Sequence, residues 1–185
     1  MEKDWDRRLE EFRAYLGLMA RLQLDGRVAA KLSSSDIVQQ TLAEAFEKRG
    51  QFRGTSDEEL AAWLRKALSH NLADAVKGLR RAKRDVGLEQ SLDAALEKSS
   101  ARLDAWLAAE QRSPSSCVSR DEQALRLADA LAKLPEAQAE VVIQHHLKGR
   151  TLAEIAAALG KSEPGVAGLI HRGLVGLREL LKGGD

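Results

Sequence analysis

Residues 151–172, TLAEIAAALGKSEPGVAGLIHR, decide how this chain is to be read, because they carry two helix starts with a helix stop between them. Thr151 can accept a hydrogen bond from the amide of Glu154 while the Glu154 carboxylate reaches back to the Thr151 amide, the capping-box arrangement. Ile155 and Leu159 lie four apart on one face, Ala156 is small where a second helix must come close, and Gly160 can take the positive φ that leaves a helix. Ser162 offers a second cap, and Pro164 fits a first turn that needs no backbone donor. Val166, Leu169 and Ile170 then face back onto the first helix. These parts make a helix-turn-helix, and a DNA-reading role is expected, although an ordinary helical hairpin would use the same caps.

Charge limits what this end can do alone. From position 121 to the end there are eight Lys or Arg against nine Asp or Glu, so no net positive charge offsets phosphate repulsion, and weak binding to DNA is expected.

Over the whole chain, 185 residues with 44% hydrophobic and 31% charged side chains can bury a core in one domain or two small ones. Three Pro and an excess of Ala, Leu, Arg and Glu favour helix nearly everywhere, so an all-α protein is expected. Cys117 is the only cysteine, and no Cys or His cluster has metal-ligand spacing; neither a disulfide framework, a metal nor a cofactor is expected. The charged start, MEKDWDRRLEEF, lacks the apolar centre of a signal peptide, and no run reaches bilayer length, which points to the cytoplasm.

Upstream, Trp5, Leu9, Phe12, Leu16 and Met19 recur at spacings of four and three and predict one amphipathic helix. A loop with Gly26 and Ser33, Ser34 and Ser35 precedes a second helix from Asp36 to about Lys48. Ile37, Val38, Thr41, Leu42, Ala45 and Phe46 lie on one side of it, and Asp36, Gln39, Gln40 and Glu44 on the other. After the loop GQFRGTS at 50–56, a long third helix is predicted from Asp57 to about Arg84. Between positions 60 and 84 it holds Arg65, Lys66, Lys77, Arg80, Arg81, Lys83 and Arg84 against the single acid Asp74, a net +6 (7 − 1). Such density fits contact with backbone phosphates, although a solvated helix end would carry it too. Residues 88–119 read as a flexible linker with short helical pieces at 92–96 and 103–107 and the string SPSSCVS; Cys117 there has no neighbour that would activate it. A box of Ser119 and Glu122 opens the next helix, and another runs from Pro135 to about Leu147. His145 and His146 are adjacent and cannot chelate one ion as an i, i+4 pair could. No phosphate loop, carboxylate pair or nucleophile triad is present in the pattern, so an enzyme is not expected.

With those residues in view, the chain resembles the extracytoplasmic-function (ECF) group of bacterial RNA polymerase sigma factors over nearly its whole length. The run Asp36-Ile37-Val38-Gln39-Gln40-Thr41 is similar to the segment that docks on the β′ coiled coil of the polymerase. Phe52-Arg53-Gly54, Ala62-Trp63-Leu64, His70-Asn71-Leu72-Ala73 and the basic run to Arg84 resemble the part that melts and reads the minus-ten element. Leu134-Pro135-Glu136 through Gly149, Glu154-Ile155-Ala156, Leu159-Gly160, Ser162, Val166 and His171-Arg172 resemble the part that reads the minus-thirty-five element. Where many members carry polar residues, this chain has Ala167, Gly168 and Leu169, a run similar to that of a planctomycete-like subgroup.

The resemblance implies two small helical domains, 1–87 and 120–185, joined by the 88–119 linker and ending in the helix-turn-helix. It implies a specificity subunit with core polymerase (β′ coiled coil and β flap), promoter DNA and an anti-sigma factor as partner candidates. Polymerase contacts then fall on Asp36, Val38, Gln39, Gln40, Thr41 and Glu44. Minus-ten contacts fall on Arg53, Asn71, Lys77, Arg80, Arg81, Lys83 and Arg84, with Arg53 and Asn71 as candidates for capturing unpaired bases. Minus-thirty-five contacts fall on Thr151, Lys161, Ser162, Glu163, His171 and Arg172. The alternatives are a stand-alone helix-turn-helix regulator and a helical scaffold; neither needs the acidic-amide face and the basic helix end together.

The basic run yields a direct test. Changing Arg80 and Arg84 to Ala should weaken promoter binding by the holoenzyme for all sequences alike and flatten the log-log salt slope by about one to two units. Filter binding at several salt concentrations reads this, and an unchanged slope would return the run to a solvated helix end.

Overall fold

The computed structural model describes residues 2–24, 32–80, 86–110 and 120–182, and every regular element among them is helical. The chain separates into two compact units, Met1–Ala101 and Arg102–Asp185. No helix among the described residues is long and apolar enough to cross a membrane.

The first unit opens with α1 (Glu2–Glu11) and α2 (Arg13–Gln23) in place of the single helix expected from the apolar stripe. Phe12 interrupts the helix, and its amide bonds three residues back to the Leu9 carbonyl at 3.1 Å. The stripe survives the break, since Leu9, Phe12, Leu16 and Met19 are all buried. Next, α3 (Ser34–Glu47) starts where Ser33 Oγ accepts the Asp36 amide, and a 3-10 turn (Arg49–Gln51) follows it. The long α4 (Asp57–Arg80) begins at a capping box, with Ser56 Oγ accepting the Glu59 amide at 3.1 Å and Glu59 Oε2 accepting the amides of Ser56 and Thr55 at 3.1 and 2.7 Å. Those amide bonds, first from Thr55 and then from Ser56, hold the Glu59 carboxyl below its ordinary range. Leu60, Leu64, Leu68 and Leu72, spaced by four, are wholly buried and make α4 the spine of the unit.

The expected linker is largely a helix. Residues 86–110 form one continuous element, α5 (Val86–Glu110), rather than two short pieces; positions 111–119, with Cys117 and the proposed Ser119 cap, lie outside the described residues. Serines compete with the backbone for hydrogen bonds and argue against helix in isolation. Here Ser99 Oγ is bonded by Gln23 Nε2 at 2.9 Å, and Ser100 Oγ lies 3.3 Å from the Tyr15 hydroxyl, so long-range partners remove the conflict.

The second unit contains the end of α5, then α6 (Arg120–Lys133), α7 (Glu136–Val142), a π-helical turn (Ile143–Leu147), α8 (Leu152–Leu159) and α9 (Glu163–Lys182). The helix expected from Pro135 to Leu147 therefore widens after Val142: the Lys148 amide reaches the Ile143 carbonyl five residues back at 3.0 Å, and Gly149 at φ 69° turns the chain. Within this turn His145 Nδ1 lies 2.9 Å from the Arg150 carbonyl, and the His146 ring stacks on Trp106 at 5.0 Å. Val141, Ile155, Ala156, Val166 and Ile170 form one buried cluster that binds α7 and α8 to α9.

Gly173 is buried where α9 crosses α7, and a Cβ there would sit 2.8 Å from Val142 Cγ2 and 3.4 Å from the Gln138 carbonyl oxygen. The absence of a side chain sets the spacing of the two helices. Gly173→Ala should cost about 1–3 kcal/mol through overpacking, measured as a lower urea midpoint with an unchanged m value.

Candidate nucleic-acid interface and docking face

The helix-turn-helix has the geometry its residues require. Thr151 Oγ1 accepts the Glu154 amide at 3.2 Å and Glu154 Oε2 accepts the Thr151 amide at 2.8 Å, so both halves of the capping box are formed. These bonds, first from the Thr151 amide and then from its hydroxyl, hold the Glu154 carboxyl below its ordinary range. Gly160 ends α8 at φ 61°, ψ 35°, and the Lys161 amide bonds to the Ala156 carbonyl at 2.9 Å. Ser162 Oγ caps α9 through the Gly165 amide at 3.3 Å. Val166 and Ile170 are buried, whereas Lys161, Glu163, His171 and Arg172 are exposed and share the outer side of the turn and second helix. Thr151 and Ser162 thus spend their hydroxyls on the helix starts and hold the exposed residues in place. Leu159 differs from its expected role: it is 36% exposed and lies outside the buried cluster.

In the first unit, residues 52–56 form a tight loop carrying the exposed Arg53. The Phe52 ring lies between Trp5 at 5.6 Å and Trp63 at 5.5 Å. A Cβ at Gly54 would fall 2.6 Å from that ring and 2.8 Å from Glu59 Cβ, so the loop closes only over glycine. Beside it a cavity of about 380 Å³ is lined by Lys48, Gln51, Trp63, Lys66, Ser69 and His70, with Glu44 and Asp93 also at its wall. The sequence reading missed this cavity. Its signal was present: Trp63, Lys66 and His70 recur at three and four, which aligns them on one side of α4.

On α3 the run of docking candidates divides. Asp36, Gln39 and Gln40 are exposed and Glu44 is half-buried, giving one polar strip. Val38 and Thr41 are buried at 3% and 0% exposure, so they belong to the interior and not to a contact face. Asn71 also differs from the expected open base reader, since it is 3% exposed. Its Nδ2 donates to Thr41 Oγ1 at 3.0 Å, and Thr41 Oγ1 donates to the Ile37 carbonyl at 2.7 Å. Gln40 Nε2 lies 3.5 Å from Asn71 Oδ1 and bonds Glu44 at 3.2 Å. Lys77 is half-withdrawn and lies 3.6 Å from Asp74. Arg80 closes α4, but its side chain, like all of Arg81, Lys83 and Arg84, lies outside the described residues.

A helix-turn-helix with an exposed second helix, joined in one chain to a second helical unit, fits a DNA-binding transcription protein. Residues 124–176 match the family model for sigma-70 region 4. Over 161 residues the chain is 31% identical to the RNA polymerase sigma-E factor of Streptomyces antibioticus, an alignment that covers 86% of this chain and 77% of that protein. The chain belongs to the RNA polymerase sigma factor family, whose members direct transcription initiation.

The buried Asn71 position gives an expected outcome. Asn71→Ala leaves the Thr41 hydroxyl without its donor and should lower stability by about 1–3 kcal/mol, read by urea denaturation. A variant of unchanged stability that opened a different set of minus-ten sequences would instead place Asn71 among the base contacts.

Proposed function

We propose that the chain is an ECF-type sigma factor of the cytoplasm that docks on core polymerase through α3. Its second unit reads the minus-thirty-five element and meets the β flap, while the loop at Arg53, the neighbouring cavity and the basic end of α4 take the opened minus-ten region. The Ala167-Gly168-Leu169 run on α9 is similar to that of a planctomycete-like subgroup and supports that finer reading. The observation that carries the docking reading is the strip of Asp36, Gln39, Gln40 and Glu44, turned outward on a helix whose other side is locked into the core. A stand-alone regulator has no use for it.

The charge balance supports a subunit that works only when held by a larger partner. The second unit, with eight basic against nine acidic side chains from position 121 onward, cannot supply much non-specific affinity. Attachment to polymerase raises the effective concentration of the two readers on promoter DNA, so weak contacts suffice.

Size-exclusion chromatography with core polymerase tests the docking face. The Asp36→Ala, Gln40→Ala double variant should keep its far-UV helicity and lose most of its co-elution with polymerase, because both residues are exposed and the one contact to a buried group, Gln40 with Asn71, is long at 3.5 Å. Undiminished co-elution would make the strip an ordinary solvated surface.

A further inference from the structure

We propose that the first half of α5 is a displaceable acidic strap that occupies the nucleic-acid face of α4 and competes with promoter DNA for it. The inference rests on the reading that this face takes opened minus-ten DNA.

Two carboxylates on α5, Asp93 and Glu97, lie four apart and meet α4 at two places. Asp93 accepts a hydrogen bond from Ser69 and forms part of the wall of the cavity that Lys48, Lys66 and His70 also line. Glu97 accepts from Arg65 Nε at 3.1 Å, and Arg65 also donates to the Tyr15 hydroxyl at 2.9 Å. Burial opposes the Arg65 charge, but Tyr15 and then Glu97 outweigh it and hold the guanidinium above its ordinary range. Glu97 on the Arg65 guanidinium and Asp93 on the Ser69 hydroxyl, beside a cavity that Lys48, Lys66 and His70 line together with Glu44, make the contacts that phosphate oxygens would make there. The cation, Ser69 and the cavity can serve one anion at a time.

The strap is held in a way that permits release. Between residues 91 and 101 only Leu96 is buried, and the α5 backbone approaches its neighbours at few points. Half-buried Leu92 and Ala95 apart, the remaining hold is polar: Gln23 Nε2 to Ser99 Oγ at 2.9 Å and to the Ala95 carbonyl at 3.4 Å, and Tyr15 with Ser100 at 3.3 Å. Water or a nucleic-acid backbone can replace each of these, whereas the leucine spine of α4 has no such substitute. Being part of the same chain, the strap competes at high effective concentration, so free protein is kept from binding single strands indiscriminately.

The test uses the full chain and a short fluorescein-labelled single-stranded DNA, followed by anisotropy. Asp93→Asn with Glu97→Gln should raise affinity at least about fivefold, the lower end of ordinary coupling between competing contacts. The same two-charge change at exposed Asp6 and Glu11, on α1, should raise it less. As a second arm, Ser69→Cys with Asp93→Cys in a Cys117→Ser background should bind more weakly when oxidised than when reduced, with reduction restoring binding. Equal affinities in both arms would overturn the strap. Lys66→Ala with His70→Ala separates the two readings: weakened binding there, with inert strap variants, removes the strap alone. No effect in any arm removes the face and the strap together.

Discussion

The first unit depends on how α3 is rotated about its axis, and the hydrogen bond from Asn71 to Thr41, 30 positions apart, is what sets that rotation. Apolar packing alone tolerates small rotations, because one buried aliphatic group substitutes for another at modest cost. A buried hydroxyl facing a buried amide does not: any other setting leaves both unsatisfied in a low-dielectric interior. Thr41 uses its own proton on the Ile37 carbonyl, so its lone pair is free for Asn71. With that tie made, Ile37, Val38, Leu42 and Ala45 point inward and Asp36, Gln39 and Gln40 point out. Magnitudes separate two roles here. Each fully buried leucine of α4 contributes about 1.5–3 kcal/mol, and four of them outweigh a single hydrogen bond of roughly 1 kcal/mol. The leucines hold the unit together, and the tie decides which face it shows.

The second unit solves the same problem with glycine and caps instead of a buried polar pair. The capping box at Thr151 and the cap at Ser162 fix where two helices begin, and Gly160 fixes the direction between them. Gly173 then lets α9 lie close against α7, with Val142 where a methyl group would otherwise be. Apart from the approach of Gly173 to Val142, 31 positions back, these devices are local. The outward side of α9 is consequently set by a few short-range choices, and its chemistry rests on exposed Lys161, Glu163, His171 and Arg172. Arg172 Nη1 comes within 3.5 Å of the place a Cβ would take on Gly168, so the guanidinium lies back along the helix over a position without a side chain.

Much of this was legible in the sequence, and the reason is that most of the deciding signals are local. Capping boxes, a helix stop and apolar residues at spacings of three and four act within a turn or two of chain. They announced the helix-turn-helix, the two faces of α3, the long α4 and the all-α class. The resemblance to sigma factors added roles for those faces, and family membership followed from region 4 and from the sigma-E relative.

What only the tertiary structure decided involves partners far apart in the chain. Thr41 and Asn71 read as a docking residue and a base reader until the fold placed them against each other, because burial depends on what packs across, not on spacing. Residues 88–119 read as a linker with short helical pieces because serines such as Ser99 and Ser100 weaken helix locally, and the chain could not show that Gln23 and Tyr15 would bond them. The cavity beside Trp63 needed three helices to exist at all. By itself the sequence determined most of the helical segments, the stretch after position 86 excepted, and which sides of them are apolar, since those follow from nearest neighbours. Tertiary structure alone decided which polar groups are spent inside and which remain available, since a hydrogen bond between helices has no signature until both ends meet.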